Sequence, residues 1–410
     1  MAGGAARRAA MTTTWLSPPG VVCALGSGIE AVARAAFAGD TRGMRRQAGW
    51  LADRALTLGG VDGPLPRIAD TLPAHHHSRN NQLLLAAALQ IEARLRDAVA
   101  RHGAHRVAVI VGTSTSGVND NAPAFQALAA NGAWPRDYDY RRQALSSPAA
   151  FLADWLGATG PAYTLSTACT SSARALLSAR RLLALGLCDA VVCGGADTLC
   201  RLTINGFASL DAVDEALCLP FSANRRGINI GEAGALFLMQ REAADDDAVA
   251  LLGGGASSDA WHMSAPEPGG AGALRAMRAA LDAAGVAPAD IGWLNLHGTG
   301  TAHNDAMESL AVHTLFPQGV PCASTKPLTG HALGAAGALE AALAWITLSP
   351  ANAAGRLPPH VWDGQPDPAL PRLDFSTIGH CYAPGRRRLA MSNSFAFGGN
   401  NTCLVLGAAA

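Results

Sequence analysis

Apolar positions recur along this chain in two rhythms. Short unbroken runs such as RVAVIV (106–111), which ends in the small-residue loop GTSTSG, have the β-branched content of strands buried on both faces. By contrast, NQLLLAAALQIEARLRDAVA (81–100) keeps the three-to-four spacing of a helix. TLSTACTSSARALLSARRLLALG (164–186) predicts a short strand, a Ser/Thr turn and a helix stopped at Gly186, and DAVVCGGAD (189–197) predicts another buried strand. Apolar runs alternating with helical patterns predict an α/β protein.

The second half replays this plan. GWLNLHGTGT (292–301) is again a strand opening into a Gly/Thr loop, and LTGHALGAAGALEAALAWITL (328–348) is again a loop feeding a helix. RRLAMSNSFAFGGNNTCLVLG (387–407) predicts two strands around a glycine turn. The parallel suggests an internal duplication with its junction near 250, where MQREAADDDAVALLGGG turns charged and then glycine-rich. Halves at 12–250 and 251–410, with no low-complexity linker, are expected to share one core.

Composition narrows the function classes. The 410 residues are 49% hydrophobic and 15% charged, ample material for a core, and the formal net charge is zero. Neutrality and few aromatic residues point away from nucleic acid and from anionic membrane surfaces. Nine cysteines without a CxxC pair predict neither disulfides nor a zinc site, which suits a reducing cytoplasm. The first residues, MAGGAARRAAMTTTWLSPPG, break at Pro18-Pro19 before any useful apolar run, so no signal peptide is predicted. Met11 is an alternative start, which would leave 1–11 as a flexible tail. No stretch reaches the roughly 18 uninterrupted apolar residues of a membrane span.

Several residues have settings that suit chemistry. Cys169 stands between an apolar strand and a helix, where free backbone N–H groups and the helix dipole favour a thiolate; a small buried apolar residue is the plainer alternative. His297 ends a strand in HGTGT, where glycines let a ligand approach the backbone and Thr299 and Thr301 offer hydroxyls. His331 opens another helix in GHALGAAG. Taken singly, each histidine fits a structural role as well as a catalytic one. His75-His76-His77 is expected to be a solvated run, since a metal site would need further spaced ligands. NSFAFGGN (393–400) predicts a hairpin turn with aromatic packing, or else a loop whose N–H serves a reacting oxygen and whose ring gates a pocket. Lys326, in STKPLTGH, is the only lysine in a chain with 31 Lys and Arg residues.

Cys169 in STACTSSA, His297 in LHGTGTAHNDAMES, Lys326 and His331 in STKPLTGH, and NSFAFGGNN follow an order and spacing that resemble the elongating β-ketoacyl-acyl-carrier-protein synthases. The match runs from GVVCALGSG (20–28) to the last strand. The resemblance implies a thiolase-like fold, duplicated and layered αβαβα, with the nucleophile in the first half and both histidines and the lysine in the second. It implies that Cys169 takes an acyl group from an acyl-carrier protein, and that His297 and His331 bind the malonyl thioester carbonyl as carbon dioxide leaves. The backbone N–H groups of Cys169 and Phe397 would hold the oxyanion. Thr299 and Thr301 would line the phosphopantetheine tunnel, Phe397 would gate the acyl pocket, and Phe395 and Thr115 would also contact substrate. Lys326 would pair with Glu308. No metal or organic cofactor is implied; the partners would be acyl- and malonyl-carrier proteins and a second subunit, identical or related.

The chain departs from the family pattern at Arg174, Ser222, Ala233, Ala396 and Thr115, which bears on the acyl chain more than on the catalytic set. Both ordinary fatty-acid elongation and a specialised chain such as an aryl-polyene-type pigment fit. The alternative within the fold is an inert chain-length-factor-like partner, which typically lacks the nucleophile that Cys169 supplies. A thiolase would carry a second reactive cysteine, a context that Cys381 and Cys403 lack. A non-enzymatic interaction module leaves the four motifs unexplained.

Overall fold

The computed structural model describes residues 13–243 and 246–408, so the expected tail at 1–11 lies outside the described residues. In the first half the apolar runs become strands β1 (Thr14–Leu16), β2 (Val107–Gly112), β3 (Ala162–Leu165), β4 (Ala190–Asp197) and β5 (Ala233–Gln240). Helices α1 (Arg79–Gln90), α2 (Ser147–Leu156) and α3 (Ser171–Ala184) lie between them. The second half contributes β6 (Val249–Ser258), α4 (Ala271–Ala284), β7 (Trp293–Asn295), α5 (Ala302–Leu315), β8 (Pro321–Ala323), α6 (Ala336–Leu348), β9 (Leu389–Ala396) and β10 (Asn400–Gly407).

The replay seen in the sequence is a replay of strand pairing. In the first half β2 pairs parallel with both β3 and β4, and β4 pairs antiparallel with β5. In the second half β7 pairs parallel with both β8 and β9, and β9 pairs antiparallel with β10. The short β1, antiparallel to β5 and to β6, joins the two sets into one hydrogen-bonded sheet. β3 forms its outer edge.

Five layers result. α3 packs on β2 and β4, α6 packs on β9 and β5, and the two helices pack on each other, so they are sandwiched between the halves of the sheet. α1 and α2 cover the outer face of the first half, and α4, backed by α5, that of the second. All 13 residues of α6 are buried, as a helix in the middle layer requires. The crossing of α3 and α6 is tight. An added Cβ at Gly337 would fall 2.7 Å from Ala173 Cβ and 2.8 Å from its backbone N.

Two expectations need correction. The periodicity of 81–100 is interrupted, because Ile91 leaves the helical region (φ −120°, ψ 15°), ending α1, and a second helix runs from Glu92 to His102. The histidine run is not simply solvated. His76 is wholly buried, with Nε2 2.8 Å from Asp154 Oδ2 and its ring edge-on to Phe151, so a tertiary carboxylate satisfies what local polarity assigned to water. All nine cysteines are free, and no helix among the described residues is long and apolar enough to cross a membrane.

The helix crossing yields a test by equilibrium unfolding. Gly337→Ala is expected to destabilise the fold by roughly 1–3 kcal/mol through overpacking. Gly206→Ala, in the exposed helix Arg201–Ala208 with nothing within 4 Å of the new Cβ, is expected to stabilise it by about 1 kcal/mol. Shifts of the same sign would show that the α3/α6 contact is not the constraint described.

Candidate active site

Cys169 lies on a tight elbow between β3 and α3. Ala168 has φ 52°, a left-handed conformation that costs a non-glycine residue roughly 1–3 kcal/mol and persists only where neighbours enforce it. Here Ser171 Oγ donates to Ala168 O (2.6 Å) and accepts from Thr167 N (2.9 Å), while Thr170 Oγ1 donates to Thr167 O (2.7 Å). These bonds set Cys169 two residues ahead of the first turn of α3.

His297 follows β7 in a loop organised by α5. Two carboxylates three residues apart on that helix turn back onto the loop. Glu308 accepts the N–H groups of His297 (2.8 Å) and Gly298 (2.7 Å), and Asp305 accepts those of Thr299 and Gly300 (both 3.2 Å). Glu308 therefore does not pair with Lys326, contrary to what the resemblance implied. The partner of Lys326 is Glu340 of α6, whose Oε1 lies 2.6 Å from Nζ. Lys326 Nζ also donates to His297 O and lies 3.4 Å from His297 Nδ1, so three acceptors converge on one buried ammonium. The reason for the correction is reach. Glu308 is committed to backbone donors and to Asn393 Nδ2 (3.2 Å), whereas Glu340 sits in an otherwise apolar helix and its carboxylate needs a cation.

His331 completes the group. Its Nε2 lies 3.0 Å from Cys169 Sγ, and its ring stands edge-on to that of His297, centroids 5.3 Å apart. One ligand-capable atom from each of Cys169, His297 and His331 lies within 4.8 Å of the others. The expected site residues thus meet, although 162 positions separate Cys169 from His331 in the chain. Asp197, which sequence reasoning missed, fastens the halves together beneath them. Wholly buried at the end of β4, it accepts from Thr113 Oγ1 (2.6 Å), Thr115 Oγ1 (2.6 Å), Thr115 N (2.7 Å) and, across the halves, Gly334 N (2.6 Å). The signal was a lone aspartate closing an apolar strand.

Burial dominates the electrostatics. It holds both imidazoles well below the ordinary histidine value, with the Lys326 ammonium adding to the effect, so both rings are neutral at physiological pH. It also pushes the Cys169 thiol up to about 12, although Lys326 pulls the other way. Burial thus works against the thiolate that the helix end was expected to favour. Glu308 rises to about 7 and Asp305 to about 6, again through burial. Because Lys326 donates toward His297 Nδ1, the ring proton of His297 belongs on Nε2.

The triad lines one end of a cavity of about 520 Å³. Thr299, Thr301, Phe395 and Phe397 also line it, with Arg225, Arg226, His303 and Leu210 further along. Phe397 is 36% exposed and its ring meets that of Phe207 at 5.3 Å, whereas Phe395 is buried. The expected turn is present, with Gly398 and Gly399 at φ 79° and 72°, so the backbone freedom lies there and Ala396 remains in β9. Thr115 is not among the residues lining this cavity; its hydroxyl and N–H both donate to Asp197. Arg174 reaches from α3 toward Ser257 O at the end of β6 and Asn400 Oδ1 at the start of β10, and Ser222 donates to Asp363 Oδ1 between two loops, so both departures from the pattern serve contacts between segments.

Comparison with known proteins agrees with this geometry. Residues 66–244 match the family described as "Beta-ketoacyl synthase, N-terminal domain" and residues 249–359 the "Beta-ketoacyl synthase, C-terminal domain". The ketosynthase (ApeO) in complex with its chain length factor (ApeC) from Xenorhabdus doucetiae is 46% identical, with a TM-score of 0.90 and full coverage of both chains. The ishigamide ketosynthase/chain length factor is 27% identical, with a TM-score of 0.83, over 98% of this chain and 100% of that one. The 3-oxoacyl-[acyl-carrier-protein] synthase 2 of Staphylococcus aureus (strain COL) is 34% identical over 264 residues, which span 61% of this chain and 62% of that protein's length. By its two matched domains, its layered fold and the order of its motifs, this chain belongs to the β-ketoacyl synthase family.

Proposed function

We propose that this chain catalyses decarboxylative Claisen condensation between an acyl group and a malonyl group, both delivered as thioesters of acyl-carrier protein. The observation that carries this reading is the meeting of one thiol and two neutral imidazoles at the buried end of a cavity. In the first half-reaction Cys169 Sγ attacks the acyl thioester, passes its proton toward His331 Nε2 at 3.0 Å, and releases the carrier's thiol. In the second, carbon dioxide leaves the malonyl thioester and its carbonyl oxygen becomes an enolate oxygen, stabilised by N–H donation from His297 Nε2 and from His331 once the proton of its ring stands on Nε2. The carbanion attacks the acyl-Cys169 carbonyl, whose oxyanion the N–H groups of Cys169 and Phe397 receive. Collapse forms the β-ketoacyl product on the carrier and expels Cys169 as a thiolate, which takes one proton from solvent to restore the thiol. Neutral rings suit this role, because an imidazolium would protonate the carbanion rather than leave it to attack.

Thr299 and Thr301, whose hydroxyls lie 2.9 Å apart in the cavity lining, suit the amide-rich phosphopantetheine arm, and Phe397 suits a gate. For the pathway and partner, the whole-length 46% identity to a ketosynthase solved with its chain length factor favours a specialised elongation in which this chain is the active member of a heterodimer. The outer edge of β3 is the place in the fold where a related subunit could continue the sheet.

Intact-mass spectrometry after incubation with an acyl-carrier-protein panel tests the reading. Cys169→Ala is expected to show no acyl adduct. His297→Ala is expected to acylate normally yet lose on the order of 10²–10³ in condensation, while His331→Ala, which removes a contact to Sγ, slows both halves. An adduct on another residue, or none on the wild type, would remove the proposal. A second test addresses the ammonium. Lys326→Arg keeps the charge but replaces a compact three-donor group by a planar fork. Displacing His297 in this way is expected to lower malonyl decarboxylation about 10²-fold, and Glu340→Gln is expected to act in the same direction. Near-native decarboxylation by Lys326→Arg would refute the positioning role.

A further inference from the structure

The triad has a second chemical capacity that condensation does not use. A thiol and two imidazoles are the ligand types that zinc and cadmium select, and three protein ligands with one open position form the usual plan of an accessible zinc centre. Among the described residues, Cys169, His297 and His331 are the one group of three or more such side chains with ligand atoms mutually within 4.8 Å. Their environment leaves room for an ion. His331 turns Nε2 toward Cys169 Sγ, His297 turns Nδ1 toward Lys326 and so presents Nε2 to the other two, and the cavity supplies the fourth position.

We infer that the unacylated chain binds one soft divalent cation, Zn²⁺ or Cd²⁺, between Cys169 Sγ, His297 Nε2 and His331, and is thereby switched off. Ideal tetrahedral zinc with these donors sets ligand atoms roughly 3.3–3.6 Å apart. The Cys169–His331 pair, now 3.0 Å apart, has to open slightly, and the widest pair, within 4.8 Å, has to close by about the length of a side-chain rotation. Binding exchanges the thiol proton for the metal: Cys169–SH and aqueous Zn²⁺ give Cys169–S–Zn⁺ and a proton released to water, while the ring proton of His297 moves from Nε2 to Nδ1 and Lys326 keeps His297 O and Glu340 as its acceptors, with no change of oxidation state. A coordinating thiol is deprotonated outright, so the burial that keeps Cys169 protonated at rest does not prevent ligation. The Lys326 ammonium opposes a second cation, but Glu340 at 2.6 Å and the new thiolate offset it. Once Cys169 carries an acyl group its sulfur is a thioester and a poor ligand, so the inference makes metal binding and acyl loading mutually exclusive.

The inhibitory consequence rests on the proposed role of Cys169; the binding itself does not. The test uses the full chain, with its partner subunit where one copurifies. Zn²⁺ competition against a chromophoric chelator is expected to give one ion per chain. Co²⁺ is expected to give a thiolate-to-metal charge-transfer band that Cys169→Ala lacks. Bound zinc is expected to slow iodoacetamide alkylation of Cys169, read by peptide mass, by roughly tenfold or more, and His297→Ala or His331→Ala to weaken binding on the order of 10–100-fold. Cys381→Ser, at a partly exposed cysteine, serves as the control and should change none of these. Unchanged zinc affinity in Cys169→Ala, or unprotected alkylation of wild-type Cys169 in saturating zinc, overturns the inference. The alkylation arm uses no variant, so it decides even where Cys169→Ala misfolds. It also decides where no acyl adduct forms and the condensation reading alone has failed.

Discussion

One buried ammonium organises this site. Lys326 Nζ has three protons and meets three acceptors, the carbonyl and Nδ1 of His297 and the carboxylate of Glu340. Taking a charge out of water is expensive unless partners replace the lost hydration, and here each donor has one. The arrangement places the ring proton of His297 on the nitrogen that faces the cavity, ties the loop after β7 to helix α6, and helps keep both imidazoles neutral. Arginine, which supplies every other permanent cation of this chain, has a fork too wide for three acceptors converging on a point.

A second anion has the complementary task of joining the halves. Asp197 ends β4 in the first half, gathers the donors of residues 113–115, and reaches Gly334 on the loop that carries His331. With α3 and α6 crossing through Gly337 and Ala173, the thiol and the imidazole are set by two rigid helices rather than by mobile loops. This explains how a strained residue such as Ala168 persists beside the nucleophile, since the surrounding contacts over-determine its conformation. Burial is also what sets the charge states. The same removal from water that lowers the histidines raises Cys169, Glu308 and Asp305, leaving a site with few free charges until substrate enters.

Much of this was legible in the chain. Apolar runs located β2 and β4, and the glycine pair between two apolar-tipped segments located the β9–β10 hairpin. The duplicated plan emerged from repeated strand-loop-helix patterns, and Cys169, His297, His331 and Lys326 stood out by their place at the ends of strands and the starts of helices. What escaped was pairing. The resemblance implied that Glu308 meets the lysine, yet local backbone donors claim it. Glu340, on the wholly buried helix α6, was not singled out, and His76 was expected to belong to a solvated run. Thr115 pointed to the acyl pocket by position, but its hydroxyl belongs to Asp197.

The sequence by itself determined which residues form strands and helices, that the plan occurs twice, and which side chains can carry thioester chemistry, since these follow from periodicity, turn residues and functional-group type. Only the tertiary structure decided which carboxylate meets Lys326, which ring nitrogen of His297 holds the proton, and whether Cys169 rests as thiol or thiolate. Those outcomes depend on distance and on exclusion of water among residues 14, 29 and 162 positions apart in the chain, and neither quantity is encoded locally.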